Sequence, residues 1–221
     1  MKNQFDLVVF DWDGTLMDSI GWIVHCMKAA AIELKLAEPD DESVKSIIGL
    51  SIQKAIKTLH PELDDQGVEF FIQTYSEVFF SRSMSEDDLF PGVKNLLDVM
   101  LGQGFKLAVA TGKSRNGLQK AMQATGLSEY FCVTRCANET ASKPDPLMLE
   151  QILVETGVNR AKTVVVGDSV HDLQMASNAN IASIAVACGA NTQEQLQALR
   201  PWLSLAKTTD LIDVIRSNAN G

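Results

Sequence analysis

The sequence predicts an α/β fold, a doubly wound parallel sheet with an inserted α-helical domain. Three observations predict it. Short, near-continuous apolar runs recur at residues 7–10 (LVVF), 105–110 (FKLAVA), 130–133 (YFCV), 163–166 (TVVV) and 181–187 (IASIAVA). Runs of that length suit strands covered on both faces, as in a parallel sheet between helices. Helical stretches at 115–125, 146–155 and 172–178 alternate with these runs, the signature of repeated βαβ units. Finally, roughly 90 residues separate the first run from the second, far more than one crossover helix needs.

Along the chain, the first strand ends at Asp11, and residues 19–89 form the excess. They contain no buried-strand pattern and read as amphipathic helices at 20–36, 41–48, 51–59 and 66–81, separated by Pro39, Gly49 and Pro61. The expected organisation is therefore a core of residues 1–18 and 90–221 with a helical cap, 19–89, lying over the sheet edge. Residues 86–92 (EDDLFPG) are the expected return hinge, with Pro91 and Gly92 opening the next helix. Asp145 before Pro146 has the grammar of an N-cap followed by proline in the first turn. The NANG tail is expected to fray.

Ligands of open α/β sheets bind outside the carboxyl ends of the strands, so the residues that follow each strand are the candidates. Asp11, Asp13, Gly14 and Thr15 follow the first; Thr111, Gly112 and Lys113 follow the second; Gly167, Asp168, Ser169 and Asp172 follow the fourth. Lys143 precedes Pro144, which favours an extended segment able to reach the same rim. Two carboxylates one residue apart repel. A cation, a shared proton, a chemical step or a solvated turn could each explain them. Carboxylates gathered from separate segments suit a hard cation such as Mg²⁺, which is usually shared with substrate phosphate. Asp11 and Asp168 are the expected side-chain ligands, with the Asp13 backbone carbonyl as a third. Thr111, the Gly112 N–H and Lys143 would donate to phosphoryl oxygens. Thr111 could instead cap the next helix. Trp12 alternates away from the aspartates and is expected to pack, the other reading being an entrance wall. Lys113 and Arg115 are expected in solvent, and His171 outside the chemistry.

DWDGTLMDS, ATGKS, KPDP and GDSVHD, in that order, resemble the four motifs of the haloacid dehalogenase-like phosphohydrolase superfamily. The helical insertion resembles the small cap of its phosphoglycolate phosphatase-like branch. The resemblance spans about residues 5–190. It implies that Asp11 is the nucleophile of an aspartyl-phosphate mechanism. It also implies that Asp13 protonates the leaving oxygen and then takes a proton from water. Asp18 is implied to be structural, and Asp172 to orient the metal shell or hold Lys143. The implied activity is Mg²⁺-dependent hydrolysis of a small phosphomonoester. A sugar-phosphate mutase or a non-catalytic phosphate-binding regulator on the same fold are the alternatives. A dehalogenase is disfavoured by Asp13 and the acidic fourth motif. A phosphonate-cleaving enzyme would need a cap lysine as Schiff base, and none of Lys28, Lys35, Lys45, Lys54 and Lys57 sits in a recognisable motif. Specificity is expected from the cap, with residues 49–53 (GLSIQ) facing the core.

Composition agrees with a small-molecule enzyme. A formal net charge of −9 disfavours a nucleic-acid partner, which needs a basic face. Four cysteines without a CxxC pair and three scattered histidines disfavour zinc and suit a reducing cytoplasm. No run approaches the ~18 apolar residues of a membrane helix. A cytoplasmic location is expected, and the oligomeric state is left open.

Overall fold

Six parallel strands make one sheet in the order β3-β2-β1-β4-β5-β6 in the computed structural model, which describes residues 1–217. The strands are β1 (Leu7–Phe10), β2 (Lys106–Thr111), β3 (Val133–Cys136), β4 (Thr163–Gly167), β5 (Ala182–Val186) and β6 (Leu203–Leu205). Helices α1 (Ile20–Glu33), α2 (Asp41–Ile47), α3 (Ile52–Leu59) and α4 (Asp65–Phe79) lie between β1 and β2, before α5 (Val93–Gly102). The later crossovers carry α6 (Arg115–Thr125), α7 (Leu147–Thr156) and α8 (Val170–Asn178). Short α9 (Gln193–Gln197) and α10 (Leu211–Ser217) follow.

The period-2 alternation of β1 explains why its run is apolar throughout. Val8, Phe10 and Trp12 point into a layer with Leu96, Leu97 and Met100 of α5 and Leu118 of α6. Leu7 and Val9 point the other way, onto Met148, Leu149 and Ile152 of α7 and Met175 of α8. Each fully buried side chain of this kind contributes roughly 1.5–3 kcal/mol. Trp12 is fully buried, its ring edge-on to Phe131 with centroids 6.2 Å apart. It is a packing residue and does not line the entrance.

The order reverses direction at β1, so the crevice between β1 and β4 is the topological switch point. Phe10 lies opposite Val109 of β2 and Val166 of β4, which brings the carboxyl ends of the three strands level.

The inserted helices bury an apolar cluster of their own, including Met27, Val44, Ile56 and Phe71. Asp40, Ser51 and Asp64 cap α2, α3 and α4. The chain leaves and re-enters the sheet side by side, since Asp18 N–H donates to Asp88 O at 2.8 Å. The expected α1 runs three residues too far, because Lys35 takes a positive φ of 57°.

A further expectation needs correction. The strand expected at 130–133 begins three residues later. Tyr130 and Phe131 pack against the core before the strand starts, whereas Thr134 and Arg135 of β3 sit half-buried at the sheet edge, where polar residues are tolerated. The stretches forming β6, α9 and α10 were too short for periodicity to reveal. Among the described residues, no helix is long and apolar enough to cross a membrane. The NANG tail lies outside the described residues.

Candidate active site

Asp11 is the first residue past β1, and its N–H continues the sheet ladder to Val166 O at 2.9 Å. The sheet thereby fixes its backbone. Its carboxylate is 3% exposed and accepts from Lys143 Nζ at 2.7 Å through Oδ1. Lys143, wholly buried, also donates to Asp172 Oδ1 at 2.6 Å. Asp172 is held in turn by Ser169, whose Oγ donates at 2.6 Å and whose N–H donates at 3.1 Å. This pairing doubles as the N-terminal capping box of α8. One helix start therefore orients a site residue.

Asp168, past the end of β4, accepts from Thr15 Oγ1 at 2.7 Å and from Ala190 N–H at 2.7 Å. Two glycines make room for it. A Cβ on Gly189 would fall 1.9 Å from Asp168 Oδ2, and one on Gly14 (φ 80°) 2.3 Å from the same atom. Carboxylate oxygens of Asp11, Asp168 and Asp172 all lie within 4.8 Å of one another.

Three carboxylates share one ammonium, so full ionisation would leave the buried cluster with two negative charges in excess. The ionisation behaviour reflects this. Burial pushes Asp11 well above the usual carboxylate range; Lys143 opposes the shift, and Asp172 and Asp168 add to it. Burial and the neighbouring Asp172 raise Asp168 to about 7, against the hydrogen bonds from Thr15 and Ala190. Burial disfavours the Lys143 ammonium, but Asp11 and Asp172 outweigh it and keep it charged. A divalent cation would balance the excess, and hard oxygen donors suit Mg²⁺, Ca²⁺ or Mn²⁺.

Asp13 stands apart from this cluster. Its carboxylate accepts from Ser19 Oγ at 2.6 Å and from Lys113 Nζ, which stands 2.8 Å from each oxygen. A metal-ligand role for Asp13 is thus confined to its backbone carbonyl. Asp172, expected only in a supporting place, is the third carboxylate of the cluster. Lys113 corrects a second expectation. Its side chain is 10% exposed and lies over the Phe79 ring, 4.7 Å from the centroid. Arg115 is also not simply solvated, since it pairs with Glu139 and donates to Thr134.

Thr111, 1% exposed, accepts from Lys113 N–H at 3.2 Å, while Ser114 caps α6. Helix capping is therefore not its task. Asp145 accepts from Leu147 N–H at 2.9 Å, but α7 starts at Leu147 with Pro146 in the N-cap position, one residue later than the expected cap at Asp145. His171 touches the inserted helices instead of the carboxylates, with Nε2 2.9 Å from Ser46 O.

A cavity of about 240 Å³ opens above Asp11, Asp13, Thr111 and Gly112, roofed by the inserted helices. Residues 49–53 border it. A Cβ on Gly112 would meet Leu50 O at 2.4 Å and Gly49 O at 2.6 Å, and Ser51 N–H donates to Ser142 Oγ at 2.8 Å. Of the five cap lysines considered for a Schiff base, none lines the cavity. Sequence reasoning missed Tyr75 of α4, which lines the cavity; burial pushes its phenol well up, and the charge of Asp13 adds to the shift.

The profile of haloacid dehalogenase-like hydrolases matches residues 8–186. The chain is 36% identical over 210 residues to "Probable phosphatase IndB" of Dickeya dadantii, covering 93% of this chain and 91% of that protein. It is 27% identical over 231 residues to a phosphoglycolate phosphatase of Vibrio vulnificus, covering 99% of each. Its fold is similar to the crystal structure of a hydrolase from Pseudomonas syringae, with a TM-score of 0.86 at 20% identity, covering 97% of this chain and 98% of that one.

Proposed function

This chain belongs to the haloacid dehalogenase-like hydrolase family, and we propose that it is a Mg²⁺-dependent phosphatase that hydrolyses a small phosphomonoester through an aspartyl-phosphate on Asp11. The observation that carries the reading is the buried cluster of Asp11, Asp168, Asp172 and Lys143 beneath a small cavity. A structural role alone does not call for three crowded carboxylates, two of them pushed up by burial.

Lys143 engages Asp11 through Oδ1 and fixes the carboxylate's orientation. The other oxygen, Oδ2, is the one assigned to attack phosphorus. Thr111 and the Gly112 N–H border the cavity beside it, where they would donate to phosphoryl oxygens as charge builds in transfer. Asp11 and Asp168, with the Asp13 carbonyl, would hold the cation, and Asp172 would keep Lys143 and that shell in place. When bound, the cation supplies charge neutralisation for the carboxylates and the phosphoryl group.

Asp13 takes the proton work. Both its oxygens accept from Lys113 here, so carrying a proton to a leaving alkoxide requires Lys113 to release one oxygen while it stays on the other. Ser19, where the chain exits toward α1, also holds this carboxylate and so couples it to the cap hinge. In this reading residues 19–89 are the cap, and its closure over 1–18 and 90–221 excludes water from the intermediate.

The reading is tested by p-nitrophenyl phosphate turnover with Mg²⁺ and with EDTA. Turnover that depends on the divalent cation is expected. Folded protein that turns over no phosphoester under either condition would contradict it.

A further inference from the structure

The walls of the cavity bear on the substrate. Its floor is polar, but the cap contributes Ile23, Met27, Ile48, Leu50, Ile52 and Phe79, with the Tyr75 phenol, Gln53 and Ser76 as neutral polar groups. Among the described residues that line it, Lys113 is the sole cationic side chain. That ammonium is already committed to both oxygens of Asp13. Pulling it away to meet a second anion would leave the buried Asp13 carboxylate without a countercharge beside that anion, held only by the Ser19 hydroxyl. Lys35 and Lys54 of the inserted segment do not line the cavity, and four other basic residues there are turned to different partners. Lys28 pairs with Asp41 and Glu38, Lys45 with Glu42, Lys57 with Asp65, and Arg82 with Asp88.

Resting on the phosphatase reading, we infer that the preferred substrate is a phosphomonoester whose leaving group is uncharged and largely apolar. A carboxylate or second phosphate placed against these walls would lose its hydration without gaining a cation, a loss that burial makes severe. An aromatic or branched aliphatic group gains from the same walls. Phosphate recognition is thus assigned to the floor and discrimination to the cap. Compact substrates bearing a second anion, such as phosphoglycolate or pyrophosphate, are poor ones.

The test compares benzyl phosphate with 4-carboxybenzyl phosphate in Mg²⁺. Their leaving alkoxides are chemically similar, so the comparison isolates the remote charge. The parent enzyme is expected to favour benzyl phosphate by roughly tenfold or more in kcat/KM. Ile52→Arg is expected to shrink or invert that ratio by supplying the missing cation. Equal or better turnover of the carboxylated ester by the parent would overturn the inference and leave the phosphatase reading standing. If folded enzyme hydrolyses neither ester, p-nitrophenyl phosphate turnover decides the phosphatase reading, and calorimetric binding of the matched phosphonates decides the inference separately. Tighter binding of benzylphosphonate upholds the apolar site; tighter binding of 4-carboxybenzylphosphonate overturns it.

Discussion

Lys113 Nζ stands 2.8 Å from both carboxylate oxygens of Asp13, joining the loop after β2 to the loop after β1. The two side chains are 10% and 12% exposed, so the pair is shielded far more than an ordinary surface ion pair. Removing one partner leaves the other poorly solvated. Lys113→Met is therefore expected to destabilise the protein by about 1–3 kcal/mol. Adding Asp13→Asn should recover much of that loss. Urea denaturation of the two single variants and the double variant measures the coupling. A Lys113→Met variant as stable as the parent would mean that the contact is an ordinary solvated pair.

Gly112 lies against the backbone of the inserted segment at Gly49 and Leu50. A methyl group there would lie 2.4 Å and 2.6 Å from two backbone oxygens, which have no side-chain freedom to give way. Gly112→Ala is expected to force the Gly49–Leu50 turn outward. It should lower kcat/KM by about 10–100-fold with little change in melting temperature, because positioning errors near 1 Å cost that much. Steady-state kinetics and thermal melts check this together. Near-parental kinetics would show that the turn need not sit against Gly112 during turnover.

The raised Asp168 makes stability without divalent cation depend on pH. Folded Asp168 keeps its proton to about pH 7, while the unfolded chain releases it near the ordinary value of 3.8. Between these values the unfolded chain binds fewer protons, so stability falls as pH rises, and the penalty is complete above pH 7. Asp168→Asn removes that contribution. In EDTA the variant should melt above the parent at pH 8, with the difference fading toward pH 4. Mg²⁺ should raise the parent's melting temperature at pH 8 and leave the variant's unchanged. A variant that melts below the parent at pH 8 in EDTA would count against a strained anion at this position.

The elements that were legible in the sequence are those whose signal is local. β1 and β4 are apolar on both faces because both faces are covered, and the residue after each is a carboxylate because the sheet ends there. The cap helices carried their own caps and breaks, so their starts fell within about two residues of the observed ones. β3 misled because Tyr130 and Phe131 are apolar for packing, not for pairing. Lys113 misled for a different reason. Its partner lies 100 residues away, and nothing adjacent distinguishes it from a solvated lysine. Tyr75 was equally invisible, since only the fold of the inserted helices brings it to the same cavity as Asp13. Long-range pairing is a property of topology, and local spacing does not encode it.

The central claim is that Asp11 is the phosphorylated nucleophile. Its most direct test is mass spectrometry of enzyme quenched in acid during turnover of benzyl phosphate with Mg²⁺. The parent should carry one phosphoryl group on the peptide containing Asp11, and Asp11→Asn should carry none and lose turnover. A parent that turns over without ever showing that adduct, or an Asp11→Asn variant with near-normal turnover, would contradict the account.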